Sequence, residues 1–437
     1  MKILVFSQFW APTNGVPPRR WQWLSTVLAG QGHELLVVSP EAHSSKRGLA
    51  RAQRHRRSTD CHIPEIGQSG EVILRSRSTK TDNSITGKII NQGSISLGML
   101  YEVYRSRDLI RRFGPELIIG TVPSIPTAFV AYLLSRVYGK PYVIDLRDAW
   151  PDLLDQSGKW NDGLGKRSVK EALFRRGPLQ MMRMIVRRLL NVVLAKSDGI
   201  IVTSKHLETS LASRFDGGNK IVTTIRNVFP ADSEPRHRKP RTEDRKPRTE
   251  DLEEFRVLYA GTLGRAQHLM NTLEAVKVAQ KAGLNIKLRF VGAGPAKPIL
   301  KEIAETEDLP IEFISQHPSD ELARFYDWAD TALVHLTNWE PLTRTVPSKT
   351  YELMEVGKHI TAVVAGEAAE LIIGLGAGHV VPPENPEALA DVWAGLAKNR
   401  SLLEVGTTGA EWVKHEREEV VPKRVESLLG KINAETR

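Results

Sequence analysis

Short apolar runs recur along the chain, each followed by a turn and then by apolar positions at helical spacing. Lys2–Phe6 is the first, and its nearly unbroken apolar character predicts a strand buried on both faces. Residues 7–18 form a loop rich in turn formers (Pro12, Asn14, Gly15, Pro17, Pro18). A helix follows over Arg19–Gly30, with Trp21, Leu24, Val27 and Leu28 on one side, and Gly32-His33 separates it from a second strand, Glu34–Ser39. Residues 41–94 are basic and rich in Ser, Arg and Gly, predicting a long loop with one strand at Glu71–Arg75. Helices are expected over 95–113, 125–138 and 178–196, and strands over 117–121, 142–145, 199–204 and 221–225. The alternation then restarts. Strands are predicted over 255–260, 286–291, 311–314, 331–336 and 360–364, with helices over 269–282, 296–305, 320–329, 347–356, up to 373, and 386–398. A last helix is expected over 410–431. Strands alternating with helices in this way predict an α/β protein with two doubly wound parallel sheets.

The two halves are joined by Arg238-Lys239-Pro240-Arg241-Thr242-Glu243-Asp244, repeated unchanged over residues 245–251. Charged residues and proline in tandem cannot bury a core, so the stretch reads as a solvated linker. The length of 437 residues also argues for two domains.

Composition narrows the class. With 41% hydrophobic and 26% charged residues the chain reads as globular, and no apolar run approaches the ~18 residues of a membrane span. The first residues do not read as a signal peptide. A single cysteine, Cys61, excludes an internal disulfide framework and a cysteine-based metal cluster, and a cytoplasmic location is expected. The net charge of +10 is uneven: residues 1–228 hold 34 Lys+Arg against 18 Asp+Glu, and the remainder is net acidic. A basic half suggests an anionic partner: nucleic acid, an acidic membrane surface or a phosphorylated substrate. The helix over 178–196, with Arg183, Arg187, Arg188 and Lys196, can be read as membrane-facing or as a domain helix with solvated arginines.

The stretch with the clearest chemistry runs from Val346 to His359. Pro347 and Ser348 start a helix and Gly357 stops it, so Lys349 stands at a helix N-terminus suited to a phosphate. Glu352, a turn further in, could accept from a pair of sugar hydroxyls. Three other strands end in glycine-containing turns: Gly261-Thr262-Leu263-Gly264-Arg265, Gly292-Ala293-Gly294-Pro295 and Gly366-Glu367. Each lets backbone approach a ligand closely. In the first half, Arg147 and Asp148 follow a buried-type strand, where this architecture places its chemistry. Gly15 lies in the corresponding first loop, but no G-x-G-x-x-G is present and a dinucleotide is not indicated.

In order along the chain, Gly15, Gly30-Gln31-Gly32-His33-Glu34, Arg226-Asn227-Val228, Tyr259-Ala260-Gly261, Phe290–Pro295, Pro347-Ser348-Lys349 with Glu352, Gly357-Lys358, Val380–Pro383 and Asn385-Pro386 resemble the retaining group 1 glycosyltransferases. This is glycosyltransferase family 4, of GT-B fold, in its branch making bacterial capsule, exopolysaccharide and lipid-linked glycans. The resemblance implies two Rossmann-like domains facing across a cleft: an acceptor-binding domain over 1–229, the linker over 230–252, a nucleotide-sugar-binding domain over 253–409, and a crossover helix over 410–437. It implies a UDP- or GDP-sugar donor, a glycan or polyprenyl-linked acceptor at the inner face of the plasma membrane, no nucleic acid, and no cofactor or essential metal. Donor contacts are expected from Gly15, Gly261, Thr262, Arg265, Gly292, Gly294, Ser348, Lys349 and Glu352, and acceptor contacts from Arg19 and Arg20. Asp148, Arg147 and Glu340 are the expected catalytic residues.

The chain departs from the family pattern at three places. Arg344 stands where the first glutamate of the Glu-x7-Glu motif is usual, with Glu340 nearby; Thr262 and Gln267 replace the usual Arg and Lys; and Arg147 replaces the usual histidine. Two other readings remain open: a nucleotide-sugar 2-epimerase of the same fold, and a degenerate transferase acting as a binding protein.

Overall fold

The computed structural model describes residues 1–13, 15–41, 63–77, 85–122, 124–158, 178–215, 220–231 and 254–435. The heptapeptide repeat, Cys61 and most of the predicted loop over 41–94 lie outside these residues. The chain divides into two compact units. One comprises Met1–Pro151, Met182–Phe229 and Glu419–Arg437; the other comprises Asp152–Met181 and Pro230–Glu418.

The first unit follows the order β1 (Lys2–Phe6), α1 (Val16–Gly30), β2 (Glu34–Pro40), β3 (Glu65–Ile66), β4 (Val72–Ser76), α2 (Ile85–Arg105), α3 (Arg107–Phe113), β5 (Leu117–Val122), α4 (Ile125–Tyr138), β6 (Tyr142–Leu146), α5 (Pro178–Lys196), β7 (Gly199–Val202), α6 (Lys205–Arg214), β8 (Ile221–Thr224). Its eight-stranded sheet has the order β3-β4-β2-β1-β5-β6-β7-β8, parallel except for β3. Both faces are covered, which is why the strands read as continuous apolar runs. Leu4, Phe6, Leu36, Ile118, Tyr142 and Ile144 face α2, α4, α5 and α6. Their alternates Leu117, Ile119, Val143 and Ile201 line an apolar space with Trp21, Leu24 and Leu28 of α1.

A buried polar network locks α1 to the sheet. The Arg20 guanidinium pairs with Asp145 at 3.0 Å, both side chains fully buried. It also donates to the carbonyl of Ile225 and to Asn227 Oδ1, each at 2.9 Å. Trp21 Nε1 donates to the second Asp145 oxygen at 3.0 Å. With these donors satisfied in the interior, Arg20 is a structural residue and its placement offers nothing to an acceptor.

The second unit runs β9 (Phe255–Ala260), α7 (Met270–Lys281), β10 (Ile286–Val291), α8 (Lys297–Thr306), β11 (Ile311–Ile314), α9 (Ala323–Trp328), β12 (Thr331–His335), α10 (Ser348–Glu355), β13 (Ile360–Val363), α11 (Glu367–Gly374), β14 (Gly378–Val381), α12 (Pro386–Lys398), α13 (Thr408–His415). Its parallel sheet has the order β11-β10-β9-β12-β13-β14. The chain winds outward from β9 to β11, then resumes at β12 on the other side. The order therefore reverses between β9 and β12, and ligands in such sheets bind beyond the strand C-termini at that reversal.

The structure departs from the expected elements at several helices: the one expected over 19–30 starts at Val16, and the one over 320–329 is a 3-10 turn, Ser319–Glu321, followed by the short α9. The helix expected over 95–113 begins earlier and is interrupted at Ser106, whose side chain donates to Glu102. The last helix is split by a π turn over Glu416–Val420, after which α14 (Val421–Glu435) returns to the first unit. Pro422 explains the turn: it has no N–H, and its ring displaces the carbonyl four residues earlier. Val425, Leu428 and Leu429 of α14 complete the apolar space beside α1.

Candidate functional site

The β9–β12 reversal is built from backbone in close contact. The turn after β9 and the turn after β10 are stitched by Gly261 N–H to Val291 O (2.9 Å) and Leu263 N–H to Ala293 O (3.0 Å). A Cβ on Gly292 would lie 1.9 Å from Gly261 O, and one on Gly294 would lie 2.1 Å from Leu263 O. Neither position accepts a side chain without moving backbone. Gly292→Ala is expected to separate the two turns and cost about 1–3 kcal/mol, read as a lower urea midpoint.

α10 starts at Ser348 with Pro347 as its cap residue; no side chain caps it, and in its first turn Thr350 N–H donates to Pro347 O at 2.9 Å. Lys349 folds back against the β9 turn: a Cβ on Gly261 would be 2.5 Å from its Nζ. The ammonium lies 3.7 Å from the centre of the Tyr259 ring. Although the residue as a whole is half-buried, Nζ itself is buried and has no hydrogen-bond partner. Burial pulls its pKa down to about 7, against the opposing pull of Glu352. A desolvated ammonium with no hydrogen-bond partner has donors left over for an anion, once a small shift of the side chain opens it to one. Glu352 is a turn further in and accepts from the Tyr326 hydroxyl at 3.0 Å. Thr262 and Arg265 are exposed on the β9 turn, and Thr262 O accepts from Tyr259 Oη at 2.7 Å.

Several groups at the same reversal escaped the sequence reading. His335 ends β12, is buried, and meets Asn271 Nδ2 at 3.1 Å. Burial, with His268 second, holds its pKa down to about 3, so the imidazole is neutral. His268 and Glu384 have φ values of 41° and 62°, rare for side-chain-bearing residues. They approach each other to 4.0 Å, and Thr337 Oγ1 donates to the same Glu384 oxygen at 3.3 Å. Such left-handed backbone costs about 1–3 kcal/mol per residue and concentrates at working sites. The usable signal was position, since His335 and Thr337 stand at the C-terminal end of a strand beside the reversal.

Glu340 and Arg344 share one 3-10 turn. Arg344 bonds Asp152 at 3.0 Å and Glu340 at 2.8 Å, so the arginine at the usual glutamate position is held between two carboxylates. Glu340 projects to solvent, 70% exposed.

The remaining expected residues belong to the first unit. Gly15 precedes α1 with φ 123°, a conformation that favours glycine. The Arg19 guanidinium stacks 4.7 Å over the Phe229 ring. Arg147 is buried just past β6, and burial lowers its pKa against Asp145 and Asp148. Asp148 has its pKa raised, first by burial, with Arg147 opposing. A carboxyl held up in this way can carry a proton at higher pH than an ordinary aspartate.

Residues 240–409 match the model of the family described as "Glycosyl transferases group 1". Over 444 aligned residues the chain is 23% identical to WcaI of Escherichia coli (strain K12), named for a glycosyl transferase role in colanic acid biosynthesis, covering 98% of this chain and 100% of that protein. Among solved structures it is similar to sucrose-phosphate synthase from Thermosynechococcus elongatus, with TM-score 0.69 and 16% identity over 99% of both chains. Anabaena HepE in complex with UDP-glucose matches with TM-score 0.60 and 13% identity, over 99% of this chain and 100% of that one. The fold matches that of the GT-B glycosyltransferases, and the residues that match the group 1 family model fall within the second unit.

Proposed function

We propose that the chain is a retaining glycosyltransferase of family 4, moving a hexose from a UDP- or GDP-sugar to an envelope glycan or lipid-linked acceptor at the inner face of the plasma membrane. The observation that carries this reading is the buried, unbonded Lys349 ammonium against Gly261 at the sheet reversal of a group 1 domain. Departure of a nucleoside diphosphate builds negative charge on its terminal oxygens. Lys349 and the first N–H groups of α10 offset that charge from fixed positions, so no essential metal is required of the mechanism. Glu352 holds the ribose hydroxyls, with Tyr326 fixing its orientation. Gly261, Gly292 and Gly294 bring backbone against the nucleotide, and Thr262 and Arg265 flank the phosphates. Glu340, held by Arg344, replaces the usual carboxylate grip on the donor sugar. The first unit takes the acceptor: Asp148 and Arg147 serve the reacting hydroxyl and Arg19 the acceptor, while Gly15 is a donor contact. HepE, whose structure holds UDP-glucose, supports the UDP choice by likeness of fold.

Incubation with radiolabelled nucleotide sugars and membrane lipid extract tests the reading. Transfer of label to an extracted glycan or lipid is expected. Donor conversion without acceptor would instead indicate an epimerase, and no donor binding at all ends the proposal.

The Lys349 pKa adds a pH signature. Below about pH 7 the ammonium is already charged and a diphosphate binds without proton uptake. Above it the neutral amine must gain a proton on binding, so affinity falls by up to about tenfold per pH unit. UDP-glucose, whose phosphates do not titrate in this range, is the probe. Calorimetry in buffers of different ionisation enthalpy is expected to show uptake near zero at pH 6 and approaching about one proton at pH 8.5.

A further inference from the structure

The helical layer on one face of the first sheet is apolar on both of its sides. α5 buries Leu190, Val193 and Leu194 against the sheet. Its opposite side carries Met184, Ile185, Leu189 and Val192, which are 44–57% exposed. These positions fall at helical spacing and share one side of the helix. α2, in the same layer, exposes Leu97, Tyr101 and Tyr104 at the same period, each at least 59% exposed. α4 lies in this layer too: Tyr142 beneath it contacts Tyr132 of α4, while its hydroxyl donates to Val193 O of α5. Val137 of α4 is 68% exposed.

Charge identifies the occupant. The 19 residues of α5 contain no Asp or Glu, and Arg188 interrupts the stripe, with Lys196 at its end. Two copies of the chain meeting on this face would bring these cations together. A bilayer containing anionic lipid meets both requirements at once: acyl chains cover the apolar side chains while Arg188 and Lys196 reach the headgroups. The tyrosines of α2 suit the same boundary, with an apolar ring and a polar hydroxyl. Among the described residues no helix is long and apolar enough to cross a membrane. We infer that the outer face of α2, α4 and α5 docks on an anionic membrane surface, lying on it without spanning it. This deepens the membrane-borne acceptor of the proposed function, and shares with it only that premise.

The test uses the full chain without substrates, so transferase activity does not enter. Sucrose-loaded vesicles of phosphatidylcholine with about 30% phosphatidylglycerol are sedimented with the protein. Binding is expected, falling steeply between low and high salt and weak on pure phosphatidylcholine. The double variant Met184→Glu/Leu189→Glu is expected to bind at least about tenfold more weakly, and Arg188→Glu several-fold more weakly. Should the double variant fail to fold, hydrogen exchange on the wild-type chain decides: vesicles are expected to protect residues 184–192 and 97–104. Wild-type protein left in the supernatant with anionic vesicles overturns the inference. So does protection arising from self-association without lipid. Loss of transfer activity with vesicle binding intact would count against the proposed function alone.

Discussion

Lys349→Met is expected to lower kcat/KM with the nucleotide sugar by about 10²–10³-fold, the usual cost of deleting one preorganised charge-stabilising donor. The same substitution is expected to make the unliganded protein more stable. In the folded chain the ammonium is buried with no hydrogen-bond partner, and its pKa is drawn down to about 7 from the ordinary 10.5. The unfolded chain therefore holds more protons than the folded one between those values, and wild-type stability rises as pH climbs from 7 toward 10.5. Methionine, of similar length and uncharged, removes that penalty. The gain in urea midpoint is expected to be greatest below pH 7 and to vanish near pH 10.5. A variant that loses both activity and stability at pH 7 would mean that the lysine is a packing element. Lys349→Arg should recover part of the activity, limited by the space Gly261 leaves.

The largest loss of stability is expected from Asp145→Ala. Removing the carboxylate leaves the Arg20 guanidinium buried without its counter-ion and leaves Trp21 Nε1 without its acceptor. Breaking one partner out of a buried pair costs about 3–5 kcal/mol. The effect should appear as a lower urea midpoint for the first unit, with donor binding by the second unit changed much less. Replacing both charges, as Arg20→Met with Asp145→Leu, should recover a substantial part of the loss. Recovery would be incomplete, since Ile225 O and Asn227 also lose their donor.

These two residues illustrate what could be read from sequence. Strands such as Lys2–Phe6 and Phe255–Ala260 were legible because both faces are covered, so periodicity disappears and only an apolar run of strand length remains. Turns ending in glycine could be placed at strand ends, and with them the Gly261, Gly292 and Gly294 cluster. The Arg20–Asp145 pair was not legible: its partners lie 125 residues apart and meet only once α1 packs on the sheet that holds β6. Nor could the sequence say that Lys349 is buried, since that depends on the absent side chain of Gly261 and on the Tyr259 ring. Pro422 stood within the helix expected over 410–431, yet the π turn before α14 was not expected there.

The return of α14 to the first unit has a consequence during synthesis. The β1–β8 sheet and α1 leave the ribosome early, yet Val425, Leu428 and Leu429, which cover the apolar space beside Trp21 and Leu24, are translated just over 200 residues after β8. Until then the nascent chain carries an uncovered greasy seam, a natural holding point for a chaperone.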